Sequence, residues 1–456
     1  KKLENMRSIF EISTRGLLSA RTAAETVSNN IANAQTPGFS RRRAVLTEEV
    51  QRLQSGVFGK GVSVSEIQRL RDGLIDQQII RNEHQLGDFS EKANLFRLME
   101  TALISVDGAG LDASMRKFFD SFSDLSTNPQ DINLRNILIS DAVSLTETFR
   151  SLDSNLDEFS DQALQTANGK LERVNTLLQD LAALNGEIAN SSADNNPNNN
   201  AFDRQTEKLK ELAGLVEFNS LVSDQGTIEI RIGGVSVLNG RQVSAMKAEI
   251  DEENNIYRVR MDGGKVIEPG KGELAANIFM FSEGVPDLRE QLDNIAETFI
   301  DSVNSIHSTG YGLNDNVLRN FFDPTSSSAG NMRIEQQLIN DPSNIAASSM
   351  VGEAGNNDIA LAISSLQNEK VLGNQTFNTN AVQFMSTPGL RLSELNQKID
   401  SATASKEFLT VRQEQTAGVS IDEELGDLIR FQNAFQASAR VLDTGRQMFD
   451  TLLSIA

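Results

Sequence analysis

The chain has 456 residues, of which 39% are hydrophobic, 23% charged and 5% aromatic; 63 acids against 42 bases give a formal charge of −21. So acidic a balance argues against nucleic acid or an anionic membrane as the main partner, because both require clustered positive charge. With no cysteine and only two histidines, His84 and His307, disulfides and thiol chemistry are excluded and a multi-histidine metal centre is not expected, nor is any cofactor.

The length suffices for roughly three domains. No uncharged apolar run approaches the ~20 residues that span a bilayer, so no membrane segment is expected. Lys1 and Lys2 are followed by Glu4 and Glu11 with no apolar stretch between, so no cleavable signal peptide is expected either. The aromatics are lopsided, with 23 Phe, 2 Tyr and no Trp.

Near the N-terminus Phe10, Ser13, Leu17, Ala20, Ala24, Val27 and Ile31 follow alternating steps of three and four. That period places them on one narrow seam, as in helices that supercoil. Residues 28–33 then lead into Thr36, Pro37, Gly38 and Phe39, where proline and glycine end any helix. Segments 43–50 and 61–67 alternate as a hairpin around a turn that includes Ser55 and Gly56. Helical spacing predicts helices over 72–105, 111–128 and 131–190, and residues 191–200 read as a polar loop. After a helix over 202–212 the period changes. Segments 227–232, 235–238, 246–250 and 257–261 alternate as strands, with Gly233 and Gly234 in a hairpin turn. Helix returns over 287–307, then follow a loop with Phe321 and Phe322 and two helices over 357–372 and 390–416.

At the C-terminus Leu425, Leu428, Gln432, Phe435, Ala439, Leu442, Arg446, Phe449 and Leu453 repeat the three–four spacing. One such run fits an amphipathic helix on its own core equally well. Two, at opposite ends of one chain, predict that the first and last segments pair. The predicted fold is mainly α with a small inserted β domain. Residues 1–45 and 419–456 form a coiled-coil rod base. Residues 46–213 and 273–418 form a body of long helices with the hairpin near 43–67, and 214–272 form a β domain at the periphery. Its turn-bounded edges make that insert removable without unfolding the helical body.

No constellation carries catalysis. The stretch from Gly108 through Gly110 to Ala113 fits the loose dinucleotide fingerprint but belongs to a helical run with no βαβ unit. Gly59-Lys60 and Gly270-Lys271 lack the upstream glycine of a phosphate loop, and the acidic run 251–255 lacks the alternation of a calcium loop. Asp422, Glu423 and Glu424 precede a long helix, where acids meet the positive end of its dipole and Ser420 can cap it. His307 ends a helix, which suggests a structural hydrogen bond or a dipole contact. The basic run Arg41, Arg42, Arg43 is expected to be solvated or to meet acids of a neighbouring subunit.

The stretch 28–41, with Asn29, Asn30, Asn33, Thr36, Pro37 and Gly38, resembles the N-terminal signature of the bacterial flagellar axial proteins, the rod, hook and hook-associated group. The C-terminal stretch from Gly418 through Asp422, Glu423 and Glu424 to Leu453 is similar to the closing motif of that group. Phe118-Phe119, Asn128-Pro129, Arg135, Leu184 through Ile188, Asn304, His307 and Gly310 also agree with a hook-associated member. Phe39 and Phe435 stand where the family commonly has tyrosine, which removes a hydroxyl hydrogen bond.

The resemblance implies a structural, non-enzymatic protein secreted through the flagellar type III apparatus to the extracellular flagellum. There it would form the hook–filament junction by self-assembly of its terminal helices in a ring. The implied partners are further copies of itself, hook protein on one side, a second junction protein on the other, and an export chaperone at the C-terminal segment. The assembly seam would be Phe10, Leu17, Val27, Ile31, Leu425, Leu428, Phe435, Leu442, Phe449 and Leu453. Another axial protein (hook or distal rod) is the alternative, though the long helical body disfavours a mostly β hook protein. A secreted protein with flagellar-type ends and an enzymatic insert is a second alternative.

Overall fold

The structure is a computed structural model that describes residues 2–53, 56–103, 110–193, 198–314 and 316–455. The turn residue Ser55, the Gly108 end of the fingerprint-like stretch and positions 194–197 of the polar loop lie outside the described residues, as does the side chain of Leu453.

In chain order the elements are α1 (Lys2–Ala32), β1 (Arg42–Leu53), β2 (Gly56–Arg69), α2 (Gly73–Leu103), α3 (Leu111–Thr127), α4 (Ile132–Ala193) and α5 (Asn199–Leu215). Strands β3 (Asn219–Val222), β4 (Ile228–Ile232), β5 (Val235–Asn239), β6 (Gln242–Val243), β7 (Met246–Asp251), β8 (Ile256–Met261) and β9 (Val266–Ile267) follow. The chain closes with α6 (Glu273–Phe279), α7 (Val285–His307), α8 (Gln336–Asn340), α9 (Asp358–Ser365), α10 (Phe377–Ala417) and α11 (Ile421–Ile455). It is mainly α, as expected. It divides into two compact units: Lys1–Leu86 with Arg173–Ala245 and Ser401–Ala456, and Gly87–Glu172 with Met246–Asp400.

In the first unit α1 packs against α11 and against the β1–β2 hairpin. Ala20, Ala23 and Val27 are buried on it, and Ser19 Oγ donates to the Val62 carbonyl at 2.7 Å. Ile75 and Ile79 of α2 meet Leu409 of α10, and Asn82 Nδ2 donates to the Ala402 carbonyl at 3.1 Å. Leu184 and Ile188 of α4 pack on Ala201 and Phe202 of α5.

The stretch expected as one β domain holds two separate sheets, β3-β4-β5-β6 and β7-β8-β9, and the boundary between the two units falls between them, after Ala245. The first packs into the helical unit. Ile228, Ile230, Val237 and Leu238 are buried, and Asn185 of α4, 1% exposed, ties the sheet down. Its Nδ2 donates to the carbonyls of Ile228 (2.8 Å) and Gly240 (2.7 Å). Its Oδ1 accepts from Ile228 N (2.9 Å) and Gln205 Nε2 (3.2 Å). Buried amides left without partners are costly. Asn185→Ala is therefore expected to lower stability by about 2–4 kcal/mol, read by urea unfolding. A loss below about 0.5 kcal/mol would show that these bonds do not anchor the sheet.

The second unit accounts for the phenylalanine excess. Phe118 of α3 packs on Phe119, Phe122, Phe299, Phe321 and Phe322 with ring centroids 5.1–6.1 Å apart. Phe299 of α7 reaches Phe377 of α10 at 5.2 Å. Polar side chains pin the loops around this cluster. Asn304 Oδ1 accepts from the backbone N–H groups of Phe321 and Phe322 (2.9 and 2.8 Å). Arg135, 1% exposed, donates to the Pro129 carbonyl at 2.7 Å and the Ile345 carbonyl at 2.6 Å. His307 is fully buried, with Nδ1 at 2.8 Å from the Arg319 carbonyl and Nε2 accepting from Ala346 N at 2.9 Å. It therefore serves as a neutral hydrogen-bonding pin, not as a cation at a helix end.

Two helix boundaries differ from expectation at prolines. Helix α10 starts at Phe377 and carries Pro388 inside it, because Phe377, Ala381 and Phe384 on its first turns are buried and that burial outweighs one lost backbone bond. Upstream of α7 a π-helical turn spans Met280–Gly284. It places Pro286 in the first turn of α7, where a missing N–H is tolerated. The expected helix over 357–372 is shorter, ending in a 3-10 turn at Leu366–Asn368. Among the described residues no helix is long and apolar enough to cross a membrane.

Candidate assembly interface

The sequence motifs at the two ends meet in the first unit. Asn33 closes α1, its Nδ2 donating to the Asn29 carbonyl at 2.9 Å. Thr36 N donates to the Asn33 carbonyl at 2.9 Å and Phe39 N to the Thr36 carbonyl at 3.2 Å. Gly38 has φ 79, and a Cβ on it would lie 2.6 Å from Glu207 Cγ, so both backbone and space demand glycine there. Asn29, Thr36 and Pro37 are exposed and Asn33 half-buried.

Asn30 and Glu424 form the joint itself, and Glu424 is 1% exposed. One of its oxygens accepts from Arg41 Nε at 2.6 Å, the other from Asn30 Nδ2 at 2.9 Å. Asn30 turns back on β1, donating to the Arg42 carbonyl at 2.8 Å and accepting from Arg42 N at 3.0 Å. Arg41 also reaches Glu423 at 3.0 Å. Asp422 is exposed in the first turn of α11, where the helix dipole favours it. Ser420 Oγ stands 3.5 Å from Glu423 N, a weak cap.

Arg41 and Arg42 are thus bound within the chain. Arg42 pairs with Asp203 at 3.0 Å and lies over the Phe39 ring at 4.8 Å. Arg69 takes the other oxygen of Asp203 at 2.8 Å, and burial lowers its pKa to about 10 against the pull of Asp203. A buried carboxylate requires a cation, and Asp203 and Glu424 draw in these arginines. Only Arg43 is exposed. No sequence signal marked Asp203 or Arg69 as partners.

Glu424→Gln removes the charge opposite Arg41 while keeping the shape. A loss of about 3 kcal/mol is expected at this joint, so amides at the start of α11 should exchange hydrogen roughly a hundredfold faster. Unchanged exchange would mean that Glu423 alone holds Arg41.

The seam between α1 and α11 is rotated from the expected one. Phe10 meets Phe449 edge-on at 6.5 Å, Val27 is buried, and Leu17, Ile31, Leu428 and Leu442 are half-buried. The positions facing α1 include Glu424, Phe431, Ser438 and Gly445, whereas Leu425, Gln432 and Arg446 are exposed. A Cβ on Gly16 would lie 2.8 Å from Ser438 Oγ, and one on Gly445 would lie 3.4 Å from Ile9. Small residues bring the backbones close, so the large apolar residues are not all needed inside. Leu425 and Phe435 remain 45% and 41% exposed, beside exposed Ile429, Val441 and Met448. Ala20 and Ala24 of α1 with Leu428, Phe431 and Phe435 of α11 line an apolar groove of about 600 Å³.

Comparison with known proteins places this joint in a family. The pattern for the flagellar hook-associated protein FlgK helical domain matches residues 97–322. Patterns for the flagellar basal body rod protein and for the C-terminal part of the rod FlgEFG proteins match 10–39 and 414–455, the two paired ends. Flagellar hook-associated protein 1 of Bacillus subtilis is 24% identical over 98% of this chain and 97% of its own length. The same-named proteins of Salmonella typhimurium and Escherichia coli are each 24% identical over 99% of this chain and 100% of their own. The chain belongs to the flagellar hook-associated protein 1 family. The fold agrees. The flagellar hook junction protein FlgK from Burkholderia pseudomallei superposes with a TM-score of 0.66 over 75% of this chain and 100% of its own, at 12% identity. As a member of the hook-associated family, the chain is a structural protein of the bacterial flagellum, at the junction of hook and filament.

Proposed function

We propose that this chain builds the hook–filament junction as a ring of identical copies, joined through α1 and α11. The observation that carries the reading is the set of large apolar side chains, Leu425, Ile429, Phe435, Val441 and Met448, that stay exposed on α11 although this helix is already paired with α1. On so acidic a chain this many exposed apolar side chains on one helix are costly in water and favour burial against other copies. Hook protein would lie on one side of the ring and a second junction protein on the other. Before assembly the same side chains would be covered by an export chaperone, and the ring would stand outside the cell. Its work is mechanical, adapting a flexible hook to a stiffer filament, and no enzymatic step is assigned to it.

The test is electron microscopy of intact flagella carrying a gold-binding tag in the exposed turn 252–255. Label confined to the boundary between hook and filament is the expected result. Label along the filament or in the basal rod would replace this reading with that of another axial protein.

A further inference from the structure

The chain contains three Asn-Gly pairs. Asn168-Gly169 lies within α4, where Asn168 Oδ1 accepts from the Tyr257 hydroxyl at 3.0 Å; Asn185-Gly186 and Asn239-Gly240 stand in opposite environments. Glycine after asparagine leaves the following amide nitrogen unhindered, and such pairs are the chemically labile ones when the side chain can turn onto the backbone. Asn185 cannot turn. It sits within α4, and both ends of its amide are held by Ile228, Gly240 and Gln205. Asn239 is the last residue of β5, paired with Gln242 across a two-residue turn. It is exposed, and no hydrogen bond among the described residues holds its side chain. Gly240 has φ 57, as the first central residue of this hairpin requires. A Cβ placed there would meet nothing within 4 Å, so the approach is open.

We propose that Asn239-Gly240 is a self-modification site, at which the chain ages by deamidation while Asn185-Gly186 is protected. The Gly240 nitrogen, giving its proton to solvent base, attacks Cγ of Asn239. The N–Cγ bond forms, the Cγ–Nδ2 bond breaks, and ammonia leaves with the proton returned to it. Water then opens the five-membered imide at either carbonyl, giving aspartate or isoaspartate. One water enters, one ammonia leaves, and nothing is oxidised or reduced.

The position gives the change a structural effect. The turn that follows is the sheet's attachment to α4. The Gly240 carbonyl accepts from Asn185, and Arg241 donates to the Gly186 carbonyl at 3.1 Å and to Asn190 Oδ1 at 2.7 Å. An isoaspartate routes the backbone through one extra methylene just before these contacts. The turn then loses its register on α4, whereas plain aspartate leaves the backbone path unchanged.

The test is peptide mapping of the purified chain after days in mildly alkaline buffer, with enzymatic methyl transfer to score isoaspartate, beside a sample kept in denaturant. Native protein should convert at Asn239 and keep Asn168 and Asn185 as amides, whereas denatured protein should convert at all three. Native chains in which Asn239 persists, or in which Asn185 converts as fast, would overturn the assignment. Hydrogen exchange at Ile228 N should rise in the isoaspartate form and stay low in Asn239→Asp. Equal exchange in the two would show that the turn does not depend on its backbone length.

Discussion

A chain carrying Phe435→Asp is expected to melt like its parent and to leave cells with hooks but no filaments. Phe435 is already 41% exposed, so within one chain the new carboxylate keeps its water. The cost arises only when a neighbouring copy covers it. Burying an unpaired carboxylate costs several kcal/mol, enough to weaken each contact by two orders of magnitude or more. Leu442→Asp differs. Leu442 is half-buried on the α1 side, so its charge should also loosen the pairing of α1 with α11 and show as lost helix protection in the monomer. Thermal melting of each variant, filament counts by microscopy and filament subunits shed into the medium separate the two effects. Normal filaments on cells whose Phe435→Asp protein melts like wild type would remove the exposed Phe435 surface as an interface.

Acidification should weaken the second unit through His307. Burial, with Arg135 and Arg319 adding positive charge, pushes its pKa from the ordinary 6.5 down to about 4, although the Arg319 carbonyl pulls the other way. The folded state thus keeps the neutral ring, with Nε2 accepting from Ala346 N. Between pH 6.5 and about 4 the unfolded chain binds a proton that the folded chain refuses. The contribution is complete above pH 6.5 and falls by about 3 kcal/mol as the pH drops to 4. Urea unfolding across that range should show the slope in wild type and a shallower one in His307→Gln. If that variant does not fold, the ring resonances of wild-type His307 decide the matter. Titration near 6.5 would refute the assignment.

Much of the architecture is legible in the sequence because local patterns set it. The three–four spacing of α1, the proline and glycine after Asn33, and the paired glycines between β4 and β5 act over a few residues. What the pattern of residues could not show is which distant group each one meets. Nothing near Arg41 points to Glu424, and nothing near Phe118 selects Phe299 or Phe321. The rotation of the α11 seam is instructive. Apolar periodicity finds every large hydrophobic row, but Gly16, Ser438 and Gly445 let backbone contact replace side-chain volume. The row with the strongest signal is therefore partly the outer one. Pro388 misleads for a related reason, since a local breaking tendency yields to Phe377 and Phe384, buried on the turns before it. The resemblance to flagellar axial proteins rests on many of the same residues that the structure shows as pins: Asn30, Arg135, Asn185, Asn304 and His307.

The joint of Asn30 with Glu424 also orders events in time. The two residues are 394 positions apart, and closing so long a flexible loop costs about 5 kcal/mol in chain entropy beyond the constant term. That cost vanishes if the interior is in place first. Once α2 and α10 are packed through Ile75, Ile79 and Leu409, and Arg41 N has found the Ala417 carbonyl, only the short link from Ala417 to Ile421 still has to close. The last helix should then dock late, as a fast local step on a finished scaffold. On the proposed ring, a chain that arrives unfolded would complete its interior before its ends acquire the shape that neighbours could join, so folding order alone would restrain premature polymerisation.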